Sequence, residues 1–190
     1  MGRFSLSFLE IIVLSFIGLS PVYAKKVEGV KLPESILCEG KQLPLQGYGI
    51  RKATVFGIKI YVLGYYADTA IKKSANLDAV NKPICFDIYY LKEFDDATVD
   101  KAWVYQFEES SMYPYDGLKS DVEKIKKFFG AISGVRKQSF VLTNSTTKVA
   151  ENGSLLGAID GPLFQKNFLS IWFGDKPPTK ELQEQLMNLD

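Results

Sequence analysis

The 190-residue sequence contains no histidine. That absence excludes Ser-His and Cys-His nucleophile pairs, HExxH zinc sites and imidazole proton relays. Cysteine is scarce: Cys38 and Cys85 are the only two, and two thiols without histidine do not make a zinc site. Neither charge is in excess, with 23 Lys and Arg against 22 Asp and Glu for a net charge of +1. The basic stripe of a nucleic-acid-binding protein is therefore not expected, nor is electrostatic steering towards an acidic partner. A strand-to-helix GxGxxG and a Walker-type loop are both missing, so no nucleotide site and no cofactor is implied. Long apolar runs are missing as well.

The most apolar segment, Ile11–Leu19, falls short of the roughly 20 residues of a membrane span. It reads instead as the core of a secretory signal peptide over residues 1–24. Arg3 supplies the positive end and Pro21-Val22-Tyr23-Ala24 a cleavage site, with Glu10 an unusual intrusion. An uncleaved N-terminal anchor is the alternative. The mature chain, residues 25–190, is then exported, periplasmic or secreted, with no integral membrane domain, and is the size of one ordinary domain. In an oxidising compartment Cys38 and Cys85 form either a disulfide or two buried thiols.

Strand signals come first. Lys25–Lys31 is a polar lead-in, Ser35–Leu45 opens a strand-rich half, and Ile58–Tyr66 and Ile84–Tyr90 are β-branched and aromatic runs. Residues 67–82 read as loop or weak helix. Thr98 is placed to cap a helix carrying Val99, Trp103 and Phe107 at helical spacing. Leu118, Val122, Ile125, Phe129 and Ile132 give a second helix, ended near Gly130. Strands return at Gln138–Thr143, Thr147–Glu151 and Ser154–Ile159, the last two joined by an Asn152-Gly153 hairpin turn. Pro162 starts a helix with Phe164, Phe168, Ile171 and Trp172 on its apolar face. Thr179 caps a final helix bearing Leu182, Leu186 and Leu189. Strands, helices, strands, helices in that order predict an α+β domain with a mainly antiparallel sheet and helices on one face.

Arg51 is the foremost candidate for a binding role. It precedes an apolar run, and a cation at the edge of a buried sheet needs a partner. A carboxylate or enolate ligand is one such partner; an internal Asp or Glu, or water, is the plainer one. Tyr61 or Tyr65 could orient a bound anion, although tyrosines also pack in strands for no other reason. On one straight strand Arg51 and Tyr61 would be roughly 33 Å apart at about 3.3 Å per residue. They share a site only if the chain turns between them, and Gly57 is the one glycine available there. The paired acids Asp95-Asp96 and Glu108-Glu109 are neighbours in sequence, so they read as solvated or capping groups rather than a glycosidase pair.

The stretches Leu43–Arg51 and Val55–Tyr66, with Asn152-Gly153, Gly157, Gly161-Pro162-Leu163-Phe164 and Leu169–Pro177, resemble the chalcone isomerase-like family, specifically its exported bacterial members. The helix around Lys101-Ala102-Trp103 fits too. The resemblance implies an open-faced β-sandwich, a large antiparallel sheet covered by a helical layer, with a ligand cleft between them. In the plant isomerases that cleft holds a flavonoid; in the related fatty-acid-binding proteins it holds a fatty acid whose carboxylate meets an arginine and a tyrosine. Arg51 matches that arginine, and Tyr61, then Tyr65, the tyrosine. The isomerase catalytic set is not kept. Phe56 stands where the enzymes have a water-binding threonine, Trp103 near the helical tyrosine with Tyr105 as a neighbouring substitute, Ser110 near the helical asparagine, and Ile171 on the C-terminal threonine or serine.

These readings predict a non-catalytic binder of a fatty acid or similar apolar carboxylate, with Arg51, Tyr61, Tyr65, Phe56, Trp103, Tyr105 and Ile171 as the ligand-binding set. An intramolecular lyase acting on a phenolic ligand and an envelope interaction module without ligand are the alternatives.

Overall fold

The structure is a computed structural model that describes residues 24–72, 77, 80–110, 114–134 and 136–188. The export segment, apart from Ala24, and Leu189 of the last helix lie outside the described residues.

Among the described residues, nine strands and four α-helices are arranged in two parts. β1 (Ala24–Val27) and β2 (Val30–Pro33) form a separate hairpin. Seven further strands form one antiparallel sheet in strict chain order: β3 (Ser35–Cys38), β4 (Lys41–Ala53), β5 (Ile58–Tyr66), β6 (Ile84–Tyr90), β7 (Lys137–Leu142), β8 (Thr146–Glu151) and β9 (Ser154–Asp160). The helices are α1 (Asp96–Ser110), α2 (Lys119–Phe128), α3 (Pro162–Phe173) and α4 (Lys180–Met187). This is the α+β architecture expected, a large antiparallel sheet with a helical layer.

Alternation along the strands decides the two faces. Leu63 and Tyr65 of β5, Phe86 and Ile88 of β6, Phe140 and Leu142 of β7 and Val149 of β8 are all buried towards the helices. The helices answer with Val99, Trp103 and Phe107 from α1, Val122 and Ile125 from α2, Phe164, Phe168 and Trp172 from α3, and Leu182 and Leu186 from α4. The opposite face holds a smaller cluster of Cys38, Leu43, Tyr66 and Cys85. There Cys38 of β3 and Cys85 of β6 form a disulfide, their Cα atoms 6.5 Å apart, so of the two open readings the paired one describes the fold. On that face Leu32 of β2, fully buried, packs over Gly64.

Three sequence expectations are corrected. The polar lead-in is a hairpin. Glu28 and Gly29 both adopt positive φ (49° and 82°), the geometry of a tight two-residue turn, and the charged side chains at Lys25, Lys26 and Lys31 hide the pattern. The cap of α1 is Asp95 rather than Thr98, because the Asp95 carboxylate accepts from the Thr98 backbone N–H at 2.7 Å. Ile132 is not helical: the chain turns extended at Phe129 (φ −115°, ψ 136°), and Ile132 pairs instead with Phe94 through two backbone hydrogen bonds of 2.7 and 2.9 Å.

Close approach of α4 to β4 requires glycine. A Cβ on Gly47 would lie 2.0 Å from the Leu186 carbonyl oxygen, and one on Gly49 would lie 2.7 Å from both Gln185 and Leu182. The Gln185 side chain accepts from the Ile50 N–H at 3.0 Å, which ties the helix to the strand beside Arg51.

Candidate functional site

The β4–β5 hairpin builds the core of the site. Thr54 and Gly57 take positive φ (62° and 66°), and the Gly57 N–H donates to the Thr54 carbonyl at 3.2 Å. The chain therefore reverses between Arg51 and Tyr61. The ladder pairs Arg51 with Tyr61 and Tyr61 with Tyr90, which places the three side chains in a row on the helix-facing side of the sheet.

Beside this row is a cavity of about 170 Å³. Its floor is Arg51, Ile60, Tyr61, Ile88 and Tyr90. α1 supplies Val99 and Trp103, with Thr98, Ala102 and Gln106 on the same wall. α3 supplies Ile171 and Trp172, and the bridged pair Phe94 and Ile132 closes another side. The lining is thus mostly aliphatic and aromatic with a few polar groups, the composition of a small-molecule site.

Those polar groups are specifically arranged. Trp172 donates its indole N–H to the Tyr61 hydroxyl at 3.0 Å, leaving the phenolic O–H of Tyr61 as a donor. Tyr90 donates to the Gln138 side-chain carbonyl at 2.8 Å. Arg51 is half-buried and donates from Nη1 to the neighbouring Lys52 carbonyl. Among the described residues no carboxylate pairs with its guanidinium.

Burial pushes the Tyr61 phenol up to about 12; the Trp172 hydrogen bond and the Arg51 charge pull less strongly the other way. Burial, with the neighbouring Tyr61 and Glu151, pushes Tyr90 higher still. Both phenols are protonated at neutral pH, so they serve as hydrogen-bond donors rather than bases. Among the described residues lining the cavity there is no carboxylate and no thiol. The chemistry on offer is one fixed cation, the uncommitted Tyr61 O–H, the polar groups of Thr98 and Gln106 on the α1 wall, and otherwise apolar surface, which suits recognition of an anion with an apolar body. Among the described residues no group of three or more His, Cys, Asp or Glu is placed to hold a metal.

Of the residues singled out in the sequence, Arg51, Tyr61, Trp103 and Ile171 come together here. Three stand elsewhere. Tyr65 is fully buried in the core, stacked on Phe86 and against Phe173, and its hydroxyl accepts from the Ile71 N–H at 3.0 Å. It shares a sheet face with Tyr61 but lies a further four residues along β5. Phe56 sits at the hairpin tip, 87% exposed, because the turn that unites Arg51 with Tyr61 projects its own residues outward. Tyr105 is 59% exposed on the solvent side of α1 among Lys101, Glu108 and Lys126. Conversely, Tyr90, Phe94 and Gln106 line the cavity although they stand outside the expected ligand-binding set. Tyr90 was readable in principle: Ile84, Phe86, Ile88 and Tyr90 alternate in phase, so pairing β6 with β5 brings Tyr90 beside Tyr61.

A family model described as chalcone isomerase-like matches residues 24–188. No curated protein matches the sequence. Among solved structures, the fold is similar to that of an Arabidopsis thaliana fatty-acid binding protein. The TM-score is 0.66 at 17% identity, over 87% of this chain and 96% of that one. The family match spans nearly all the described residues, and the observed sheet and helical layer have the architecture implied by the resemblance; the chain belongs to the chalcone isomerase-like family.

Proposed function

We propose that the protein is an exported, non-catalytic binder of an apolar carboxylate. One observation carries the reading: Arg51 presents a half-buried guanidinium, without a carboxylate partner among the described residues, at an apolar cavity and directly opposite a protonated Tyr61. The guanidinium pairs with the ligand carboxylate and the Tyr61 O–H donates to it. A charge-assisted contact of this kind contributes about 1.5–3 kcal/mol, and each buried CH₂ of the tail about 0.8 kcal/mol. The name of the Arabidopsis relative in fold supports an acid with an apolar tail as the ligand class. The signal-like segment and the Cys38–Cys85 disulfide support export to an oxidising compartment.

The test is native mass spectrometry of the protein purified from an exporting host, paired with organic extraction. A co-purifying carboxylic acid that is lost in Arg51→Ala supports the reading. A ligand retained equally by the variant, or an empty protein that also fails to bind added carboxylates, contradicts it.

A further inference from the structure

We propose that this cavity selects compact carboxylates, those whose apolar part is about one benzene ring in volume, over long-chain fatty acids. The inference rests on the carboxylate reading above and adds the size of the ligand. The cavity holds about 170 Å³, and an apolar cavity of about 150 Å³ is enough for benzene. Its inner end is closed by two fixed indoles. Trp103 stacks on Phe129 with 15° between the ring planes, and Trp172 stacks on Phe86 at 23°. Trp172 is also pinned by its hydrogen bond to Tyr61. Behind them the space between sheet and helices is filled: Phe140 and Phe168 are fully buried with ring centroids 4.7 Å apart. A core packed to that density does not admit an acyl chain. A tail that starts at Arg51 and runs inward therefore meets the indoles after a few carbons. Any further carbons stay outside the cavity, where they add little to affinity.

The test is a chain-length series by calorimetry on the intact protein, using butyrate, hexanoate, octanoate and dodecanoate, with 3-phenylpropionate as the single-ring acid. Affinity should rise roughly four-fold per CH₂ while the tail is being buried, and level off between hexanoate and octanoate. 3-Phenylpropionate should bind within a few-fold of hexanoate. Ala102→Leu, at an exposed position on the α1 wall, narrows the cavity without disturbing the core and should bring the plateau to shorter acids. An affinity that keeps climbing through dodecanoate overturns the size limit while leaving the Arg51 anchor standing. If no acid in the series binds, the carboxylate reading falls and this inference with it.

Discussion

Arg51 of β4 and Tyr61 of β5 are register partners in an antiparallel ladder, so their side chains share one face of the sheet in the floor of an apolar cavity. The pairing depends on the short turn at Thr54–Gly57. It puts a fixed positive charge next to a hydroxyl that already accepts from Trp172 and so has its own proton to give. From this relationship the consequences can be checked one at a time.

Arg51→Gln should weaken hexanoate binding by roughly ten- to a hundred-fold, the equivalent of one charge-assisted contact. Arg51→Lys should fall between, because an ammonium retains charge but lacks the planar fork that matches a carboxylate. Neither should lower folding stability by more than about 1 kcal/mol, since Arg51 closes no ion pair among the described residues. Calorimetric titration and thermal unfolding of the two variants check both halves.

Raised phenol pKa values set the alkaline behaviour. An ordinary tyrosine titrates at 10.0, whereas burial holds Tyr61 and Tyr65 at about 12. Between these values the unfolded chain has released protons that the folded protein keeps. Stability from this source is therefore complete below pH 10 and is lost as pH rises towards 12. Ligand affinity should fall in the same window, because a Tyr61 phenolate no longer donates and repels a carboxylate. Tyrosinate absorbance followed alongside unfolding checks this; complete ionisation near pH 10 in the folded protein would contradict it.

Opening the disulfide should matter more than either change. Cys38 and Cys85 are separated by 47 residues, and a crosslink of that span removes about 4 kcal/mol of chain entropy from the unfolded state. It also joins β3, at the edge of the sheet, to β6. Replacing both cysteines with serine should lower the unfolding free energy by roughly 2–5 kcal/mol, measured by denaturant titration. Binding of hexanoate by the folded fraction should persist, since neither cysteine borders the cavity.

Much of this architecture is legible in the residues. The runs Ile58–Tyr66 and Ile84–Tyr90 are strands over the whole of their expected spans. Asn152 and Gly153 adopt the paired positive φ values (47° and 86°) of a tight hairpin turn. Thr179 caps α4 by accepting from the Leu182 N–H. Such signals are local, which is why sequence carries them. The site is a different matter. Phe56 replaces a family threonine and Tyr105 neighbours the position of the family's helical tyrosine in the alignment the resemblance implies, yet a one-turn hairpin and the outer face of α1 turn them to solvent. The alternation along β6 places Tyr90 on the helix-facing side, but its position beside Tyr61 follows from the β5–β6 register, which no local pattern specifies. The β1–β2 hairpin escapes notice because its lysines mask Val27, Val30 and Leu32.

The same distinction explains Gly47. Its place in a strand run suggests a weak point, but the structure shows a contact: α4 presses its Leu186 carbonyl to 2.0 Å from where a Cβ would be. Gly47→Ala should cost about 1–3 kcal/mol through overpacking and loosen α4 from β4. Thermal unfolding, with hydrogen exchange at the Ile50 amide that bonds to Gln185, measures both effects.

Carbon NMR titration of carboxyl-labelled hexanoate bound to the protein, followed as pH is lowered, reports on the Arg51–carboxylate pairing itself. Pairing with the Arg51 guanidinium favours the charged form of the ligand. The bound carboxyl carbon should therefore titrate at clearly lower pH than free hexanoate, and the shift should vanish in Arg51→Gln. A bound carboxyl that titrates with the free acid, or above it, would mean that the carboxylate does not pair with Arg51.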